Sequence, residues 1–290
     1  MTKHTDILEA EPVVTHNLGA LATLVATDGN EPGCAATRIA AALMDAARIV
    51  PSAIVVDPTP LPTGEALAKR RSELDQMLES TGASGWSLRV RAGDPVEEIA
   101  REAKRGAFEL LMIGLRQHGW LERATRRETA LRIIARSEIP VLGVAYWLHR
   151  VPRRIVVGID FSRSSIHAAE MACRILADRG RLVLAHGDQS FASADEDMEG
   201  ATRIYEHGVE AKLTALMRRL PLPLRGTIET VPLRGAPAPA LLELAERSDT
   251  DVLAVGRQHH RPLSRWLLGS VTADLVRDAR CSVLVTPLLP

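Results

Sequence analysis

"TVPLRGAPAPALLELAERSDTDVLAVGRQHH", from Thr230 to His260, decides the fold. Its first residues alternate like a strand, and Gly235 with Pro237 punctuates the run. Ala238, Leu241 and Ala245 then recur at helical spacing. "DVLAVG" is a short continuous apolar run, as expected of a parallel strand buried on both faces. Strand, helix and strand in succession make a parallel crossover unit.

The same unit occurs earlier as "RVRAGDPVEEIAREAKRGAFELLMIGLRQH", Arg89 to His118. Gly93 matches Gly235, Pro95 matches Pro237 and Gly114 matches Gly256, at one constant separation of 142 residues. "IPVLGV" and "CSVLVT" close the two copies at that separation. "LVATDGNEPG" (Leu24 to Gly33) and "IVVGIDFSRSS" (Ile155 to Ser165) open them, with Asp28 and Asp160 in the same place. The repeat predicts two homologous domains, 18–147 and 152–290, joined near Tyr146 to Arg154.

Working outward, each half alternates strand and helix. In the second half the first helix is capped by Ser162 or Ser164 and carries Ile166, Ala169, Cys173 and Leu176 on one face. A longer helix carries Val209, Leu213, Leu216 and Leu220. In the first half, Ile39, Leu43, Ala46 and Val50 are expected on the first helix. Five short strands with helical crossovers predict an α/β fold, a doubly wound, mostly parallel sheet in each half, for which 3-2-1-4-5 is the strand order considered. Ligands of such sheets bind beyond the carboxyl ends of the strands, where strand order reverses. That crevice falls between strands one and four, where Asp160 and Gly256 end their strands.

Composition narrows the function classes. Of 290 residues, 46% are hydrophobic and 25% charged, as in ordinary globular domains. Basic and acidic residues balance at 36 each, which gives no general attraction to nucleic acid or to an acidic membrane. No stretch approaches the ~20 apolar residues of a membrane helix, and the N-terminus has no signal-length apolar core; a cytoplasmic protein is expected. Cys34, Cys173 and Cys281 lack metal or disulfide spacing and read as free thiols in apolar settings.

The segment after the fourth strand, "VGRQHHRPLSRWLLGSVTADLV" (Val255 to Val276), holds the candidate chemistry. Gly256 is expected to let the backbone turn sharply, and Gly269 to permit close approach of a ligand. Ser270 begins a helix, whose free amides and dipole attract anions. Arg257, Arg261 and Arg265 add positive charge. Asp160 can accept from a ribose hydroxyl or an adenine amino group, or hold a metal on the phosphates. Adjacent His259 and His260 point apart on an extended chain, which disfavours joint chelation. A Ser270–His259–Asp160 triad lacks a nucleophile elbow. Trp120 and Trp266 read as packing residues, and the acidic run Asp195 to Glu199 as a solvated connection.

The repeat and this segment resemble the universal stress protein family in its tandem two-domain form. That family's signature is G-x-x-G, nine residues, then G-[ST]. Here Gly256, Arg257, Gln258 and His259 are followed by nine residues and Gly269-Ser270. The spacing is kept, with His259 in place of the second Gly. The resemblance implies a Rossmann-like, adenine nucleotide alpha hydrolase-like fold. It also implies ATP, alone or with magnesium, as ligand of the second half. Ile159 and Asp160 would flank the adenosine, and His186 and Gly187 would face adenine. Gly256, Arg257, His259, Gly269, Ser270, Val271 and Thr272 would follow ribose and phosphates. In the first half Arg127-Glu128 replaces Gly-Ser, and the Glu128 carboxylate repels phosphate, so that half is expected not to bind ATP in the family manner. The resemblance further implies that the fifth strands, Val141 to Ala145 and Val283 to Thr286, face each other in an intramolecular pseudo-dimer; a homodimer of chains is compatible with it. A stress-response binding module, with at most slow hydrolysis, is the first functional expectation. A scaffold acting through protein contacts, with vestigial pockets, is the alternative.

Overall fold

The computed structural model describes residues 19–29, 31–46, 48–59, 63–115, 123–187, 199–223, 225–233, 235–257 and 269–288. The first half runs β1 (Leu21–Ala26), α1 (Glu31–Asp45), β2 (Ile49–Asp57), α2 (Glu65–Ser80), β3 (Ser87–Ala92), α3 (Pro95–Arg105), β4 (Leu110–Leu115), α4 (Arg123–Arg136) and β5 (Val141–Ala145). The second repeats it with β6 (Arg154–Gly158), α5 (Arg163–Ile175), β7 (Arg181–Gly187), α6 (Glu199–Met217), β8 (Thr227–Leu233), α7 (Pro237–Arg247), β9 (Val252–Gly256), α8 (Ser270–Asp278) and β10 (Ser282–Thr286).

All ten strands join one sheet, ordered β3-β2-β1-β4-β5-β10-β9-β6-β7-β8. Each half is therefore a 3-2-1-4-5 sheet. Pairing within each half is parallel. The two fifth strands meet antiparallel, Val283 opposite Gly143 and Leu284 opposite Leu142.

Successive residues of a strand point to opposite faces, and the apolar runs use both. Ile155 and Val157 join the layer that holds α1, α5 and α6. Val156, between them, joins the layer that holds α3, α4, α7 and α8. Burial on two faces is why these strands are continuously apolar rather than alternating.

One helical expectation is corrected. Helix α1 stops at Asp45, and Val50 lies in β2 with 61% of its surface exposed. Pro51 follows, and a residue before proline is pushed out of the helical region. The helical spacing of Ile39 and Leu43 continues to Val50 by coincidence.

The joint between the halves is pinned from β9. Asp251, almost fully buried, accepts from the backbone N–H of Arg153 at 2.7 Å and of Arg154 at 3.0 Å, and pairs with Arg150 at 3.1 Å. Across the seam Ala145 N–H donates to Ser282 Oγ and Trp147 Nε1 to the Arg280 carbonyl, each at 3.0 Å. Among the described residues no helix is long and apolar enough to cross a membrane.

Candidate functional site

Strand β6 lies between β7 and β9. The chain leaves β6 for α5 on one face and leaves β9 toward α8 on the other. Their carboxyl ends therefore open the crevice expected of this topology. Because β9, α8 and β10 form a parallel crossover, the N-terminus of α8 returns to this same edge.

Ile159 is buried and its N–H donates to the Ala185 carbonyl at 2.7 Å, extending the sheet by one residue. Asp160 then emerges exposed at the edge. Its Oδ1 accepts from Ser162 N–H at 2.8 Å, which forms the turn into α5. Ser162, rather than Ser164, caps α5 by accepting from Ser165 N–H at 3.2 Å.

Gly256 has another purpose than the one expected. It carries no positive φ. A Cβ placed there would lie 2.4 Å from Ser165 N and 2.5 Å from the Ser164 carbonyl carbon. Glycine is needed because the first turn of α5 sits directly on the end of β9.

Helix α8 begins at Ser270 with Gly269 as its N-cap, so no side chain caps it. Its first unpaired amides keep their N–H groups. The contrast with other helices is chemical. Asp94 caps α3 by accepting from Val96 N–H at 2.9 Å and Glu97 N–H at 3.1 Å. Helix α7 has prolines at 237 and 239, which remove two of the same donors. Ser270 is exposed, Val271 half-buried and Thr272 buried.

At the end of β7, His186 does more than lend its backbone. Its Nδ1 lies 2.6 Å from the Ile159 carbonyl. A carbonyl only accepts, so Nδ1 carries the proton. Nε2 is buried and, among the described residues, has no hydrogen-bond partner. The ring centroid lies 4.9 Å from that of Phe161, and Lys212 Nζ is 5.4 Å from the Phe161 centroid. Phe161 adopts φ 61°, unusual for a bulky residue. Reading the residues singly missed this pair. The alignment "TDG" over "IDF" holds the signal: the fold needs a positive φ after the aspartate, and Gly29 (φ 79°) supplies it in the first half.

Arg257 also takes a different part from the one expected. Its guanidinium donates to the Ile134 carbonyl at 3.0 Å and the Ala135 carbonyl at 2.7 Å. It points into the first half rather than toward a phosphate, and burial lowers its pKa below the ordinary value.

The first half keeps the aspartate and the positive φ that follows it, and differs at the helix start and at the end of the second strand. Helix α4 begins at Arg123, so the positions matching Gly269-Ser270 lie inside the helix and Glu128 is exposed on it. The register aligns His186 with Val55, because Thr27 N–H donates to the Ile54 carbonyl as Ile159 N–H does to Ala185. His259, His260, Arg261, Arg265, Trp266, Trp120 and residues 195–198 of the acidic run lie outside the described residues. Cys173 and Cys281 are buried, free thiols, each pushed up to about 12 by burial, whereas Cys34 is half-buried. Among the described residues no group of three or more His, Cys, Asp or Glu is placed to hold a metal.

Comparison with known proteins agrees with the internal repeat. The model of the universal stress protein family matches twice, over residues 22–145 and 152–287. Universal stress protein Rv1636 of Mycobacterium tuberculosis is 32% identical over 143 residues, covering 46% of this chain and 94% of that protein. A universal stress protein from Archaeoglobus fulgidus superposes with TM-score 0.61 at 20% identity, covering 92% of this chain and 96% of its own. A protein of unknown function from Pseudomonas aeruginosa gives TM-score 0.64 at 14% identity, covering 93% of each chain. With the family model covering both halves, the chain belongs to the universal stress protein family, in a tandem two-domain form.

Proposed function

We propose that the second half binds an adenine nucleotide, ATP with or without magnesium, at the carboxyl edge between β6 and β9, and that the first half does not. The observation that carries this reading is the N-terminus of α8. Its amides have no side-chain cap, they return to the edge where Asp160 emerges, and the spacing from Gly256 to Gly269-Ser270 is that of the family signature. Such an end suits phosphate oxygens. Asp160 suits a ribose hydroxyl. Magnesium fits only as a companion of the phosphates, since it keeps most of its waters and needs few carboxylates; Asp160 is the carboxylate at hand. In the first half α4 runs through the corresponding place and presents Glu128. We read the protein as a cytoplasmic stress-response binding module whose halves pair internally along β5 and β10.

Protein purified from cells, denatured and assayed by mass spectrometry for released nucleotide tests this reading, with thermal shift on adding ATP and magnesium. The reading expects released adenine nucleotide or a raised melting temperature. Neither, in the wild-type chain, refutes it in favour of a scaffold acting through protein contacts.

A further inference from the structure

Arg257 is the first residue beyond β9, at the root of the connection to α8. Its backbone N–H donates to the Thr286 carbonyl of β10 at 2.8 Å, which holds it against the seam. Its side chain crosses the seam and donates to the Ile134 and Ala135 carbonyls in the last turn of α4. Those carbonyls have no partner within their own helix, and they form the negative end of its dipole. Arg257 is only 7% exposed. Among the described residues no carboxylate pairs with it, and Nε is buried without a partner.

A guanidinium buried away from any counter-charge is costly, and packing alone does not require it. In the repeat, the position of Arg257 is held in the first half by Leu115, buried at the end of β4. There the leucine fills the space above Gly143, where a Cβ would come within 2.6 Å of Leu115 Cδ1. The fold thus accepts an apolar residue at this place, and only the second half sends a cation across. The tie runs from the end of β9, in the half proposed to bind nucleotide, to the last turn of α4 in the other half.

We propose that Arg257 is a positioning residue that couples the nucleotide site of the second half to helix α4 of the first. The first half thereby serves the second: it holds the end of β9 at the carboxyl edge, and the last turn of α4 responds when nucleotide occupies that edge. This inference rests on the nucleotide reading above.

The test uses the full chain with Arg257→Leu, which copies the first half, and Arg257→Lys, which keeps a cation. Affinity for ATP with magnesium is measured by calorimetry. Amide exchange is followed in a peptide spanning residues 131–140, with and without nucleotide. In the wild type, nucleotide slows exchange in that peptide. In Arg257→Leu affinity falls about tenfold, within the usual range of coupling between sites, and the slowing disappears. In Arg257→Lys part of both returns. A loss of folding alone would lower stability in both variants without erasing the ligand-dependent change. Unchanged affinity in Arg257→Leu, or slowing that persists there, overturns the coupling and leaves the nucleotide reading standing. Absence of nucleotide binding by the wild type overturns both.

Discussion

The two halves share a frame and differ at one edge. Both build a 3-2-1-4-5 sheet, place an aspartate after the first strand and follow it with a residue at positive φ. At the carboxyl edge the second half has Phe161, His186, Arg257 and an uncapped helix end at Gly269-Ser270. The first half has Gly29, Val55, Leu115 and the interior of α4 at the matching places. The difference separates what the fold needs from what a ligand would need. Positions that only pack are glycine or aliphatic in the first half. The polar and strained substitutes gather in the second, where unusual backbone often marks function.

The contact of β9 with α5 is the sharpest test of that division. Gly256→Val would drive a side chain into the Ser164–Ser165 backbone. Overpacking against main chain is expected to cost about 3 kcal/mol and to lower the melting temperature by roughly 10 °C. An unchanged melting temperature would mean that α5 does not rest on β9.

The starts of β4 and β9 offer a matched pair. Asp251 is buried and holds the joint, while Glu109, its repeat partner, is exposed and accepts from Ala22 N–H at 3.0 Å. Asp251→Ala leaves two backbone donors and Arg150 without their acceptor and should cost about 3 kcal/mol. Glu109→Ala should cost under about 1 kcal/mol, since exposed pairs contribute little. Urea unfolding of the two variants side by side decides it, and equal losses would break the distinction.

A smaller effect than at Gly256 or Asp251 lies at Gly29. A Cβ there would meet only Met77 Cγ at 3.9 Å, so space is not the constraint. Gly29→Ala should destabilise by about 1 kcal/mol through the left-handed backbone alone. A neutral result would show that the turn relaxes to negative φ, and it would remove the case that Phe161 bears a comparable penalty.

How much of this was legible depended on the kind of information. Strands such as "VLAVG" declared themselves because burial on both faces leaves no polar alternation to mistake for loop. The repeat aligned the two halves, and a doubly wound sheet in the order 3-2-1-4-5 puts Asp160 and Ser270 on one edge. Side-chain direction was not legible. Arg257 looks like a phosphate ligand beside a glycine motif, and only the seam between β5 and β10 shows where it points. Gly256 looks like a turn residue in the sequence, whereas its neighbours in space, Ser164 and Ser165, set its size. The pairing of Phe161 with His186 depends on register between β6 and β7, which spacing along the chain does not encode. Val50 differs because a helical period runs by chance past the end of α1 into β2, where Pro51 keeps it out of the helical region.

The central claim is that one half, and only one, presents a nucleotide site. Calorimetric titration of the full chain with ATP and magnesium measures that directly as stoichiometry. One nucleotide per chain is expected in the wild type. A carboxylate at the start of α8 repels phosphate, so Gly269→Glu should weaken binding by about 100-fold or more. Two nucleotides per chain, none, or one that survives Gly269→Glu would contradict the account.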